Sequence, residues 1–106
     1  MGDISRRPDE DTNVLEKQKH ETKQPEMYKV VLLNDDYTPR EFVVEILIRI
    51  FRKSASDAQV IMMRAHRGGK SVVGIYTYDI ATTKVSQVRQ KARASGYPLK
   101  MVVEGA

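Results

Sequence analysis

Asn34, Asp35 and Asp36 set three acceptor side chains side by side, and Thr38 adds a hydroxyl two positions on. An amide oxygen and two carboxylates on one ordered stretch form a socket for a ligand with several N–H donors or positive charge. The other residue with chemistry to offer is His66, whose neutral imidazole supplies one further acceptor. A metal centre built from Asp35, Asp36 and His66 would have one carboxylate pair and one histidine, a poor set for zinc. An Asp–His catalytic pair lacks a nucleophile, since there is no cysteine and Thr38 is better used as a helix cap. No catalytic residue, metal or cofactor is therefore expected. Two readings of the polar cluster stand on spacing alone. It is the mouth of a binding pocket, or Asx residues that form a turn while His66 ends a helix in solvent; the frequency of Asx residues in turns favours the second.

The elements that must position these residues follow from hydropathy patterning. Val30-Val31-Leu32-Leu33 is short, apolar and β-branched, so 27–33 reads as a strand. Val43, Ile46, Leu47, Ile50 and Phe51 recur at helical spacing and predict an amphipathic helix over roughly 40–53. The acidic cluster is thus a strand-to-helix corner, with Thr38 as N-cap and Pro39 at the first helical position. Ser54 with Asp57, or Ser56 with Gln59, can open a second helix. Its apolar face is Ala58, Ile61, Met62 and Ala65, and it stops at Gly68-Gly69. If the two helices form a hairpin, His66 returns to where the first one began. Residues 71–78 alternate and read as a strand. Asp79 can cap a third helix with Ala81, Val85, Val88 and Ala92 inward and Gly96 at its end, and 100–104 is a last strand. The order β-α-α-β-α-β predicts an α+β open sandwich, a three-stranded antiparallel sheet with three helices on one face.

At 106 residues there is room for one domain. The formal charge is +4, but residues 1–26 carry net −2 with few apolar side chains and read as a disordered N-terminal extension to a 27–106 core. The core's net +6 admits an acidic partner or nucleic acid without requiring either. Arg67-Gly68-Gly69-Lys70 is a faint RNA-binding loop signal without the Gly-x-x-Gly spacing, so a small basic RNA-binding domain is the alternative class. Absent cysteine, no membrane-length apolar run and no signal-peptide core point to a cytoplasmic protein.

Tyr28-Lys29-Val30 is followed by Leu33-Asn34-Asp35-Asp36-Tyr37-Thr38-Pro39-x-Glu41-Phe42-Val43. Further on come Met62-x-x-x-His66, Gly74-x-Tyr76-Thr77, Ala81-x-Thr83-Lys84-Val85 and Pro98-Leu99. Across 27–104 these motifs resemble ClpS, the family of bacterial adaptors that bring N-degron substrates to the ClpAP protease. The resemblance implies a non-enzymatic, monomeric adaptor without nucleic-acid or membrane partners. Its ligands would be substrates beginning with Leu, Phe, Tyr or Trp, passed to the N-terminal domain of a ClpA-type AAA+ unfoldase. It implies that Asn34, Asp36 and His66 hold the substrate's α-amino group while Asp35 and Thr38 support the mouth. Val43, Met62 and Leu99 would line the cavity for the first side chain, and Asp79 and Lys84 would dock on the unfoldase. Two positions depart from the family pattern: Arg40 replaces a usual methionine at the rim, and Ala65 a usual valine in the wall. Both are expected to alter the ranking among first residues, with the Arg40 guanidinium kept in water or paired with a nearby carboxylate.

Overall fold

A computed structural model describes residues 24–106. In chain order the elements are β1 (Met27–Leu33), α1 (Arg40–Arg49), α2 (Ala55–Gly68), β2 (Lys70–Thr77), α3 (Tyr78–Ala94) and β3 (Lys100–Gly105). The expected extension, 1–26, lies outside the described residues except for 24–26. The sheet is antiparallel in the order β2-β1-β3, so the most continuously apolar strand is the central one. That is why β1 does not alternate: Val30, Val31 and Leu32 are all buried. Val30, Leu32, Val73 and Met101 meet Ile46, Leu47, Met62 and Val88 of the helices in one core, whereas Val72 and Ile75 on the other face remain exposed. The α+β architecture expected from the sequence is the one observed.

The helix ends show which local signals operate. Ser54 is the cap of α2, its hydroxyl accepting from the Asp57 N–H at 3.1 Å, and Gly69 closes that helix at φ 92°. At the end of α3 the Gly96 N–H reaches Arg93 and the Tyr97 N–H reaches Ala92, a Schellman closure that uses Gly96 at φ 78°. Asp79 does not cap α3. It lies within the first turn, where its charge complements the helix dipole, and Thr77 holds the N-cap position without a side-chain bond.

The first helix is shorter than its periodicity predicts, ending at Arg49 rather than 53. Arg52 adopts φ 59°, a left-handed conformation costing roughly 1–2 kcal/mol for a residue with a Cβ. The turn lets Phe51 enter the core, and burying such a ring is worth about 1.5–3 kcal/mol, enough to offset the strain. Lys84, far along the chain on α3, donates its ammonium to the Ile50 carbonyl at 2.8 Å and lies over the rings of Phe51 and Tyr76. A carbonyl orphaned by the early helix end is thereby satisfied.

Tyr76 reaches this cluster because β2 is not a regular strand. Val30 pairs with Gly74 but Val31 pairs with Val72, so Val73 is an extra residue and the pairing carries a bulge. Beyond the bulge the in–out alternation is reset, which sends Ile75 outward and Tyr76 inward. The Tyr76 ring folds back across Gly74, where an added Cβ would meet its hydroxyl at 2.5 Å and its ring carbons at 2.8 and 2.9 Å. Gly74→Ala must therefore swing the ring away from Phe51 and Lys84. The expected outcome is a loss of about 1–3 kcal/mol in unfolding free energy, measured as a lower urea midpoint at unchanged slope. An unchanged midpoint would show that the ring relocates without cost.

Candidate functional site

The corner between β1 and α1 is closed by one carboxylate. Asp35 Oδ1 accepts the N–H groups of Tyr37 and Thr38 at 2.8 and 2.7 Å, and Oδ2 accepts the Thr38 hydroxyl at 2.9 Å. Thr38 is thus not the N-cap expected of it, because its hydroxyl donates to a charged acceptor three residues upstream, the stronger available bond. Pro39, expected as the first helical residue, occupies the N-cap position instead. Its carbonyl receives the N–H groups of Phe42 and Val43, and α1 starts at Arg40. With Asp35 turned into the turn, its neighbours Asn34 and Asp36 are exposed, and their side chains have no partner among the described residues.

The helix hairpin brings His66 to this corner. The Asn34 N–H donates to the Gly69 carbonyl at 3.0 Å, tying the end of β1 to the end of α2. The glycine pair that gave the RNA-binding signal is accounted for here, as a helix stop whose carbonyl holds the corner. One turn back along α2, His66 Nε2 lies 2.7 Å from Arg40 Nη2. A guanidinium has only donors, so Nε2 is the acceptor in this contact. Arg40 is paired with this imidazole rather than with a carboxylate.

Beneath the mouth lies a cavity of about 200 Å³. Val43, Met62, Ala65 and Leu99 form its apolar walls, and Asn34, Asp35, Asp36, Thr38, Arg40 and His66 its rim. Leu32 and Leu33 also line it. The apolar run assigned both to a strand without indicating a cavity, and only their position directly before the corner hinted at it. An apolar cavity of about 150 Å³ is enough to hold benzene, so this one suits a single aromatic or branched aliphatic group. The arrangement can therefore take a cation bearing several N–H donors at the rim with an apolar substituent below it.

The remaining expected positions lie elsewhere. Asp79 is exposed on the first turn of α3, and Lys84 is half-buried with its ammonium engaged at Ile50. Two phenols are shifted upward, Tyr28 through its bond to Glu26 and Tyr76 through burial, paired across β1 and β2 at the end of the sheet remote from Asn34. Among the described residues no three His, Cys, Asp or Glu side chains are grouped to hold a metal ion, and no helix is long and apolar enough to cross a membrane.

Known proteins share this arrangement of chain. A sequence profile for the ATP-dependent Clp protease adaptor protein ClpS matches residues 23–102. The ClpS adapter protein of Maricaulis maris is 51% identical over 96 residues, covering 91% of this chain and 88% of its own. That of Parvibaculum lavamentivorans is 49% identical over 108 residues, covering 98% of each. Among solved structures, Agrobacterium tumefaciens ClpS2 bound to L-phenylalaninamide matches with a TM-score of 0.76 at 44% identity, covering 78% of this chain and 100% of that one. On the length and identity of these matches, the chain belongs to the ClpS family of Clp protease adaptor proteins.

Proposed function

We propose that this chain binds the free N-terminus of proteins beginning with Leu, Phe, Tyr or Trp and delivers them to a ClpA-type unfoldase. The observation that carries the reading is a set of acceptors directly above a cavity sized for one side chain: Asn34 and Asp36, whose side chains have no partner among the described residues, and His66, which faces Arg40. An α-ammonium has three N–H donors, and Asn34, Asp36 and His66 supply an amide oxygen, a carboxylate and an imidazole nitrogen. An internal residue presents one uncharged amide N–H there, so the rim distinguishes chain ends from chain interiors. Burying the first side chain adds roughly 1.5–3 kcal/mol. The ligand of the Agrobacterium relative, a phenylalanine with a free amine and an amidated carboxyl, has the two features such a site needs. The chain performs no catalysis in this reading and acts as a cytoplasmic monomer.

A calorimetric titration with a Phe-initiated peptide tests the amine site. Binding is expected for the free peptide and its loss on N-acetylation. Asp36→Ala should cost about 1.5–3 kcal/mol, the range for hydrogen bonds to charged groups. Equal binding of the acetylated peptide, or wild-type affinity in the folded variant, would remove the amine assignment.

Delivery is assigned to parts that do not touch the peptide. Residues 1–26 would span roughly 90 Å when drawn straight at about 3.3–3.6 Å each, long enough to enter a neighbouring unfoldase channel. Deleting 1–20 should leave peptide affinity unchanged and stop degradation; degradation at the full-length rate would exclude that role. For the docking surface, Asp79→Lys is the cleaner probe, because replacing Lys84 also removes the tie to Ile50. Asp79→Lys is expected to weaken unfoldase binding without changing peptide affinity, and unaltered unfoldase affinity would exclude Asp79 from docking.

A further inference from the structure

One acceptor of the proposed amine site, His66, already faces a cation. Arg40 Nη2 donates to His66 Nε2 at 2.7 Å, so an ammonium that uses the same nitrogen has to displace the guanidinium. Arg40 is exposed on the first residue of α1, with no carboxylate partner among the described residues. Displaced, it stays at the rim, now beside a second positive charge and in need of an acceptor. Of the residues that line the mouth, Arg40 is the only lysine or arginine, the one cation on a perimeter of acceptors.

A substrate seated by its first residue brings its second residue to that perimeter. Consecutive Cα atoms are 3.80 Å apart, so the second side chain leaves the mouth within reach of a long arginine stem anchored at the rim. Acceptors arriving there are the first peptide carbonyl, present in every substrate, and a carboxylate, present only when the second residue is Asp or Glu. We propose that Arg40 is a specificity-determining residue for the second position of the substrate, moving from His66 to an acidic side chain there and disfavouring Lys or Arg. The proposal rests on the amine-site reading and adds a second criterion to it. A guanidinium suits the role because it stays charged at all relevant pH and can grip a carboxylate with two parallel bonds.

The test is affinity for three peptides that differ only at the second residue, Phe-Glu, Phe-Ala and Phe-Lys, with N-acetylated Phe-Glu as control. Each is titrated against the wild type and Arg40→Gln at low and high salt. Because the pair would form at an exposed rim, the expected effect is modest: about fivefold between Glu and Lys at ~50 mM salt, shrinking as the Debye length falls. In Arg40→Gln, which keeps a polar donor without the charge, the spread should collapse or invert towards the residual charge of Asp36. Binding that acetylation abolishes but the second residue does not affect would overturn the Arg40 role alone. An undiminished preference for Glu in Arg40→Gln would overturn it as well. No binding by any peptide, or equal binding of the acetylated one, would overturn the amine site and this inference together.

Discussion

The Asp35 carboxylate accepts three donors at 2.7–2.9 Å within its own turn, and the geometry of the mouth depends on that closure. Charge-assisted bonds of this kind are about twice as strong as neutral ones, and three of them fix a four-residue turn with little freedom left. The closure leaves Asn34 and Asp36 facing solvent on either side. It also moves the helix start to Arg40, which places a guanidinium against His66. Two adjacent aspartates thus have different tasks, one holding the backbone and the other presenting charge. The division comes from backbone direction, since both are the same residue type.

At the other end of α1 a second arrangement does comparable work. Lys84 meets the Ile50 carbonyl and two aromatic faces, joining α3, the end of α1 and β2 at one ammonium. The bulge at Val73 and the absence of a side chain at Gly74 are what allow Tyr76 to take part. Rigid support at this end matters to the cavity, because α1 supplies Val43 to its wall and Arg40 to its rim. A lysine that family resemblance marks as a docking residue is here also an internal tie. Replacing it alters both the surface and the scaffold.

Much of this was legible along the chain. The apolar run at Val30–Leu33 and the helical spacing through Ile46, Leu47, Ile61 and Met62 identified the elements and their buried faces. The glycines at 69 and 96 marked two helix ends, because only residues that accept positive φ end a helix that way. The caps were less legible. Thr38 and Asp79 have the right residue type one and two positions from where the cap lies, and Pro39 takes the cap position rather than the first helical one. Helix starts depend on which of several nearby acceptors captures a given N–H, a competition that sequence alone does not rank.

The sequence by itself determined the order of elements and the cluster of acceptors at one corner. These follow from periodicity and residue chemistry within a few positions of each residue. The tertiary structure decided which acceptors stay available, which partner Arg40 takes, where α1 stops and which face Tyr76 joins. Each of those depends on groups brought together from distant parts of the chain, 26 residues apart for Arg40 and His66 and 34 for Ile50 and Lys84. Local pattern does not encode such distances, because they are set only when the hairpin and sheet pack around one core.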